Sequence, residues 1–388
     1  MPRFFSVFVI ALAAIGTATY GRAQGPAPNG GNMLVYVGTY TGAKSKGIYV
    51  SKFDSENGTL SPAELAAEVA SPSFLAVHPT EKYLYAVNET NTFTDDTGGV
   101  SAFAIDRASG RLQSLGQQSS EGLGPAHLSI DKGGRNVLVA NYGGGSVVVL
   151  PINAKDGKLK SGTALMQHKG RSINPNRQNE PHAHSITTDP SGRFVYVADL
   201  GLDWIVIYQL DERKGLLTLN NPPNAKVEPG AGPRHFSVHP SGRYGYVINE
   251  LNCTVTAFTR DANNGGLTVL QTISALPPTT TMQQGFSGAE LEVHPSGRFL
   301  YTSIRGHNSI AAFTIDQNTG RLTYVDSTPT QGNTPRGFGI DPQGKYLLAG
   351  NQNSDSVVVF RIDQATGKLT PTGSKIDVGS PVCIKFVK

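Results

Sequence analysis

The amino-acid sequence predicts an all-β fold, a seven-bladed β-propeller with four antiparallel strands per blade. From Met33 onward one phrase recurs, and its clearest copy is GPRHFSVHPSGRYGYVINELNCTVTAFTRDANNGGL at 232–267. A repeat period of about 50 residues built from short strands is typical of β-propellers. The chain also contains 45 Gly and 24 Pro with only 16% charged residues, which favours many short strands joined by tight turns.

Each copy of the phrase divides into four strand candidates. In the clearest copy these are HFSVH (235–239), YGYVIN (244–249), TVTAFTR (254–260) and LTVLQTI (267–273). The segments PSGR and NNGG between them are turn signals. The other copies begin at SPSFLAVHP (71), GPAHLSIDK (124), EPHAHSITTDP (180), SGAELEVHP (287), TPRGFGIDP (334) and SPVCIKFVK (380).

The two ends of the repeat predict how the ring closes. The C-terminal segment SPVCIKFVK matches only a first strand, whereas LVYVGTY at 34–40 matches only a second strand. We therefore expect the C-terminal strand to join the N-terminal blade, which removes the exposed sheet edges of an open array. The propeller is predicted to be one domain spanning residues 33–388.

The residues before the repeat predict export from the cytoplasm. Residues 1–23 combine a short positive start, an apolar run at 4–15 and a small-x-small site at 21–23, as in a secretory signal peptide. The apolar run is short for a membrane span, although an uncleaved anchor is the alternative. Residues 24–32 form a Pro/Gly linker. We expect a secreted or periplasmic protein with no membrane insertion after signal removal.

Charge and cysteine content limit the partners. The chain has 33 Lys+Arg and 29 Asp+Glu, a net charge of +4 without a basic block, so nucleic-acid and membrane-surface binding are not indicated. An anionic small molecule is compatible with this charge. Cys253 and Cys383 fall three blades apart, too far for a disulfide, and we interpret both as buried small side chains.

Equivalent positions of the copies can be compared in register. We count from the residue before the first turn, called the turn position, which is His78, Asp131, Asp189, His239, His294 and Asp341. Position −5, where the first strand starts, holds Ser73, Ala126, His184, Arg234, Ala289 and Arg336. Position −4 holds Phe74, His127, Ser185, His235, Glu290 and Gly337. Position +11, just past the second strand, holds Glu89, Tyr142, Leu200, Glu250, Arg305 and Gln352.

These three positions predict a binding site. If the first strand of each blade is innermost, its start lies at the mouth of the central channel, near the end of the second strand. The three positions then form rings at one face, and such highly charged rings are not explained by packing. The turn position alternates only between His and Asp, which is typical of turn chemistry.

Two long loops are predicted to lie over the same face. Residues 166–184 enter the rings at His182 and His184, and residues 276–290 lead into Glu290. Long loops in compact domains are more often functional than accidental.

Several strings resemble one known family. RQNEPHAHS (177–185), GAGPRHFSVHPSGRYGYVINELN (230–252) and YTSIRGHNSIAAF (301–313) are similar to the lactonase family of seven-bladed propellers. That family includes propeller-type 6-phosphogluconolactonases and 3-carboxy-cis,cis-muconate lactonising enzymes, and the resemblance covers 33–388. It implies a metal-free and cofactor-free active site at one channel mouth. By position in these strings it assigns the catalytic roles to His184, Arg234, Glu250 and Arg305.

The residue types suit lactone opening. A general base activates water, and positive groups stabilise the oxyanion that forms on the carbonyl. His184 and Glu250 are both candidate bases, and Arg234 and Arg305 would hold negative charge. The expected substrate is a small anionic lactone that carries phosphate or carboxylate. The further substrate-binding candidates are His127, His182, His235, Glu290, Arg336, Arg177 and Glu89.

Three alternatives stay open at this point. His182 and His184 with Glu180 or Glu290 could ligate zinc or manganese, although as many arginines as carboxylates in the rings disfavour a cation. Muconate-type ring closure is the second alternative. A non-catalytic interaction platform is the third, and it would not need His184, Arg234, Glu250 and Arg305 to converge in one pocket.

Overall fold

A computed structural model describes residues 1–2, 33–93 and 96–388 and shows a closed ring of seven β-sheets. The predicted seven-bladed all-β propeller is thereby confirmed. Apart from Met1 and Pro2, the predicted signal peptide and linker lie outside the described residues. Within the described ranges, we find no helix of the length and apolarity that crossing a membrane requires.

The strands follow the chain order blade by blade. Blade 1 contains β1 (Met33–Thr39), β2 (Gly47–Asp54), β3 (Thr59–Leu60), β4 (Glu64–Glu68) and, from the other end of the chain, β29 (Pro381–Val387). Blades 2 and 3 contain β5 (Leu75–Val77), β6 (Tyr83–Asn88), β7 (Gly99–Ile105), β8 (Leu112–Ser119), β9 (Pro125–Ile130), β10 (Asn136–Asn141), β11 (Ser146–Pro151) and β12 (Ala164–Gln167). Blades 4 and 5 contain β13 (Ala183–Thr188), β14 (Phe194–Asp199), β15 (Trp204–Asp211), β16 (Leu216–Lys226), β17 (Pro233–Val238), β18 (Tyr244–Asn249), β19 (Thr254–Arg260) and β20 (Leu267–Ser274). Blades 6 and 7 contain β21 (Ser287–Val293), β22 (Phe299–Arg305), β23 (Ser309–Ile315), β24 (Leu322–Pro329), β25 (Pro335–Ile340), β26 (Tyr346–Asn351), β27 (Ser356–Ile362) and β28 (Leu369–Asp377).

The ring closes as the repeat predicts. Strand β29 pairs antiparallel with β1, with Leu34 opposite Val387 and Thr39 opposite Pro381. Six blades have four strands, whereas the outer position of blade 1 is divided between β3 and β4, which both pair with β2. The first strands of successive blades pack against one another around the axis, so these strands are innermost and line the channel.

A tyrosine in the second strand links each of six blades to the next; five of these tyrosines share one register position, and in blade 7 Tyr346 lies two residues earlier in the strand. The hydroxyl of Tyr36 donates to the Gly110 carbonyl of blade 2 at 2.9 Å, and that of Tyr346 donates to Glu56 of blade 1 at 3.0 Å. Equivalent bonds run from Tyr85, Tyr196, Tyr246 and Tyr301 to Gly157, Gly265, Gly320 and Gly367. Because the rings are fully buried, each hydroxyl needs such a partner, and together the bonds fix the spacing of the blades.

The turn position has the structural role that the repeat predicts, with one addition. His239 Nδ1 accepts the Ser241 backbone N–H at 3.1 Å within the turn, while Nε2 donates to the Gly297 carbonyl of the next blade at 2.9 Å. His78 and His294 bond in the same way to Gly134 and Gly344. The sequence predicted the turn but not this link between blades.

The first strands carry a β-bulge at position −5. Ala183 pairs with Asp199 and Ser185 with Ala198, which leaves His184 as the extra residue. Arg234 is left over in the same way between Pro233 and His235, and Arg336 between Pro335 and Gly337. The predicted boundary of the first strand at residue 235 was therefore wrong, since β17 already starts at Pro233. Hydrophobic alternation does not reveal an inserted residue.

The cysteine prediction is confirmed. Cys253 and Cys383 are both free and buried, in different blades. Burial raises the pKa of the Cys253 thiol to about 12, so this thiol packs as an apolar group.

Candidate active site

The mouth of the channel, where first strands start and second strands end, brings charged side chains together around Glu250. Glu250 follows β18, Arg305 ends β22, and His184 and Arg234 are the bulged residues of β13 and β17. A bulge changes the direction in which a side chain points and is common beside active sites. In blade 5 it lets two consecutive residues, Arg234 and His235, both contact mouth groups.

Three arginines and one histidine surround the Glu250 carboxylate. Oε2 lies 3.1 Å from Arg234 Nε, 3.0 Å from Arg305 Nη2 and 3.9 Å from His184 Nε2. Oε1 accepts a 2.6 Å hydrogen bond from Arg177 Nη2. We call these five residues the Glu250 cluster. All four residues that the resemblance marks as catalytic belong to it, and Arg177 joins them from the long loop at 166–184.

The electrostatics keep the Glu250 carboxylate ionised. Burial alone would raise its pKa, but the charges of Arg305 and Arg234 outweigh burial and hold the pKa well below its usual range. Burial and the neighbouring Arg336 lower the pKa of Arg234, which is only 2% exposed. One carboxylate among three guanidinium groups leaves the cluster with excess positive charge.

His184 is a buried, neutral imidazole. Burial, followed by the positive charge of Arg234, lowers its pKa well below 6.5. Its Nδ1 is sealed from solvent and has no hydrogen-bond partner among the described residues. Nε2, beside Glu250, is therefore the ring nitrogen able to meet a substrate.

Below the Glu250 cluster lies a layer formed by His127, His235 and Glu290. Arg234 Nη1 contacts His235 Nε2 at 3.1 Å and donates to the Ala289 carbonyl at 2.7 Å. Since a guanidinium can only donate, His235 Nε2 accepts, and its Nδ1–H faces Glu290 Oε1 at 2.6 Å. His127 packs 5.3 Å from His235 between ring centroids. The sequence assigns His235 and Glu290 to substrate binding. In the structure His235 contacts Arg234 directly, and Glu290 contacts His235.

The wall beside His184 depends on Tyr142, which the sequence analysis placed at position +11 but did not select. Its ring stacks on His182 at 4.6 Å and meets His184 edge-on at 5.0 Å. Its hydroxyl accepts a 3.2 Å bond from Arg177 Nη2. His182 Nδ1 bonds the Tyr142 carbonyl at 3.0 Å, so this histidine fastens the loop to the wall.

A second group, the Arg336 cluster, occupies blades 7, 1 and 2 on the other side of the mouth. The Arg336 guanidinium carbon lies 5.3 Å from the centroid of the Tyr40 ring. The Tyr40 hydroxyl donates to Glu89 Oε2 at 2.8 Å, and the Ser73 hydroxyl bonds the same oxygen. Tyr40 is the member that the sequence missed, because it belongs to the blade whose first strand is supplied by the C-terminus.

A deeper layer of the channel was also missed. Lys385 and Glu292 occupy position −2, and with His127, His235 and Glu290 they line a cavity of about 420 Å³. Burial raises the pKa of Glu292 to about 7, and its Oε2 accepts the Ile340 N–H at 3.0 Å. Since side chains two residues apart share a face of a strand, a period-2 step from position −4 would have found this layer.

A metal site would need a third ligand beside His182 and His184. Across the described ranges, no group of three or more His, Cys, Asp and Glu side chains is placed to hold a metal ion.

Comparison with known proteins defines the class. Residues 34–386 match the family model described as "Lactonase, 7-bladed beta-propeller". The chain belongs to this family and is an enzyme of the lactonase class.

Individual relatives carry more specific names. A Bacillus subtilis protein named 6-phosphogluconolactonase is 38% identical over 352 residues, covering 91% of this chain and 97% of the relative. A 6-phosphogluconolactonase of Formosa agariphila is 36% identical and covers 78% of this chain and 85% of its own length. The solved structure of a Pseudomonas aeruginosa periplasmic gluconolactonase is 33% identical, covers 92% of this chain and 99% of that chain, and superposes with a TM-score of 0.85.

Proposed function

We propose that this protein hydrolyses a sugar lactone at the mouth of the channel, in the manner of a 6-phosphogluconolactonase. The observation that supports this most directly is the convergence of His184, Arg234 and Arg305 within 3.9 Å of one Glu250 oxygen. A platform that only binds other proteins would not need four ionisable side chains to meet below its surface.

The roles follow from the protonation states. Water attacks the lactone carbonyl carbon, so a carbon–oxygen bond forms and the ring ester bond breaks. Because both Glu250 oxygens are engaged by arginines, we assign the base to His184: its neutral imidazole takes the proton from water and returns it to the ring oxygen that leaves. Glu250 stabilises the imidazolium at 3.9 Å, and Arg234 and Arg305 stabilise the oxyanion.

The chemistry proposed here is metal-free and needs no cofactor. Water activation is assigned to His184 and charge stabilisation to arginines, which together supply what a bound cation would supply. In this scheme every protein group that takes part in the reaction belongs to the Glu250 cluster.

The substrate class follows from charge and from the relatives. Arg177, Arg234, Arg305 and Arg336 face the mouth together with the two carboxylates Glu250 and Glu89, so the site favours an anionic lactone. The names of the Bacillus and Formosa relatives make a phosphorylated gluconolactone the first substrate to test, and the Pseudomonas relative adds plain gluconolactone.

The test is base uptake at constant pH by the purified protein on phosphorylated and plain gluconolactone, with spontaneous hydrolysis subtracted. Glu250→Gln keeps the shape of the side chain but removes its charge, and we expect a loss of about 10³-fold in kcat/KM. Glu212→Gln, near the turns of the opposite face, is the matched control and should leave the rate unchanged. Equal rates for wild type and Glu250→Gln would overturn the proposed site. Loss of wild-type activity with a chelator would overturn the metal-free chemistry.

We also propose that the protein acts outside the cytoplasm, because residues 1–23 have the pattern of a secretory signal and one similar structure is described as periplasmic. Fractionation of expressing cells with N-terminal sequencing tests this. A mature chain starting at Gln24 is expected, and a full-length cytoplasmic chain would contradict it.

A further inference from the structure

We propose that Arg336, stacked on Tyr40, binds the anionic substituent of the substrate, a phosphate monoester or a carboxylate. This role rests on the proposed lactonase function, because it places a substituent of the same lactone that reacts beside Glu250. It separates the mouth into a reacting side and a recognition side.

The arginines of the mouth differ in their partners. Arg177, Arg234 and Arg305 each lie within 3.1 Å of a Glu250 oxygen. For Arg336, by contrast, no carboxylate oxygen of residues 33–93 or 96–388 lies within 4.0 Å of the guanidinium nitrogens. Its charge is therefore the one least compensated by a direct ion pair.

The Arg336 side chain is held in place although it has no direct ion pair. Its guanidinium centre lies 5.3 Å from the centroid of the Tyr40 ring. Tyr40 in turn is fixed by its 2.8 Å bond to Glu89, whose same oxygen also bonds Ser73. Arg336 also makes a side-chain hydrogen bond with Tyr40. Because a guanidinium carries five N–H donors, enough of them remain for two-point binding of an anion.

The positive charge of Arg336 affects the pKa of other arginines at the mouth. Burial would lower the pKa of Arg336, but Tyr40, Glu89 and Glu250 outweigh it and raise that pKa, so the group stays charged. After burial, the charge of Arg336 is the strongest influence that lowers the pKa of Arg234. It also adds to the lowering of the pKa of Arg305. A bound anion would relieve this repulsion.

The two clusters lie on different arcs of the ring. The Glu250 cluster comes from blades 4, 5 and 6 with the loop at 166–184, and the Arg336 cluster from blades 7, 1 and 2. A lactone whose carbonyl lies beside Glu250 can extend its far substituent toward Arg336. Neutral lactones would use only the first arc, and anionic lactones would use both.

Direct binding tests the subsite without relying on turnover. Isothermal titration calorimetry with inorganic phosphate, and separately with gluconate 6-phosphate and gluconate, would compare wild type with Arg336→Gln. We expect at least a tenfold weaker binding of phosphate and of gluconate 6-phosphate to the variant. A tenfold effect on gluconate as well would show that a carboxylate is also bound there.

Arg361→Gln is the matched control, because Arg361 is stacked on Tyr346 at 4.9 Å but lies on the exposed side of β27. Equal phosphate affinity of wild type and Arg336→Gln, or no phosphate binding to the wild type, would overturn the subsite.

Kinetics then separate this subsite from the proposed function. Arg336→Gln should raise KM for a phosphorylated lactone at least tenfold more than it raises KM for a neutral lactone. Arg336→Lys keeps the charge but not the planar guanidinium, so its KM for the phosphorylated lactone should lie between those of wild type and Arg336→Gln. This variant keeps the test usable if the glutamine variant is unstable. Equal losses on neutral and anionic lactones would contradict the subsite. If no lactone is hydrolysed but phosphate binding still depends on Arg336, the proposed function fails and the subsite stands.

Discussion

The innermost strands have two ends with opposite character. At the turn end, His78, His239 and His294 make the same pair of bonds, one within the turn and one to the next blade. At the mouth end of the innermost strands, His184, Arg234 and Arg336 occupy the same register position but make different contacts. A repeat keeps what every blade needs for assembly, and a site can form where the blades are free to differ.

The largest expected effect distinguishes a histidine at each end. His184→Gln should lower kcat/KM by about 10³-fold, because the proposed base is lost. His239→Ala should leave kcat/KM unchanged but lower the free energy of unfolding by about 1–3 kcal/mol, because the Gly297 carbonyl and the Ser241 N–H lose their partner. Steady-state kinetics and urea unfolding of both variants check this. A large loss of activity in His239→Ala would break the comparison.

The second prediction concerns the turn end alone. Asp189 at the turn position forms a buried ion pair with Arg260, whose Nε also donates to the Tyr196 hydroxyl at 2.7 Å. Asp189→Asn leaves that guanidinium buried without a charged partner and should cost about 3–5 kcal/mol of unfolding free energy. Asp211→Asn removes the charge of an exposed carboxylate that pairs with Lys214 and should leave the unfolding midpoint almost unchanged. Equal unfolding midpoints in urea for the two variants would contradict the prediction.

The third prediction concerns pH. Burial and Arg234 lower the pKa of His184 below 6.5, so the neutral base is present at neutral pH and is lost only in acid. Glu250, with a lowered pKa, stays ionised over the same range. We therefore expect kcat/KM to be flat from pH 6.5 upward through neutrality and to fall only below pH 6.5. An inflection at or above pH 6.5 in the measured profile would contradict a neutral buried His184.

The smallest expected effect concerns the thiols. Cys253 and Cys383 are free and buried in separate blades, so reducing agent should change neither the melting temperature nor the activity. A thiol reagent should titrate both groups in the unfolded protein and neither in the folded one. A lower melting temperature under reducing conditions would reveal a disulfide and sink this prediction.

The sequence predicted the ring, its closure and the convergence of four site residues, because register carries over from blade to blade. The strands at 244–249 and 254–260 lie where alternation places them. It could not reveal the bulge at Arg234, since an unpaired residue leaves no mark in the hydrophobic pattern. It also could not show that Arg177 donates a hydrogen bond to Glu250, because that contact depends on how the loop at 166–184 folds over the mouth. The catalytic roles of these residues remain predictions.

Strand β29 gives the closed ring a consequence for biosynthesis. Its partner β1 is among the first parts of the propeller to be synthesised, and β29 is the last, so the first blade stays incomplete until the whole chain has been made. Pairing over such a distance in sequence is slow. Lys385 reaches the channel only with this final strand. Until this last strand arrives, the edge of β1 stays unpaired, so the nascent propeller carries an open sheet edge that only its final residues remove.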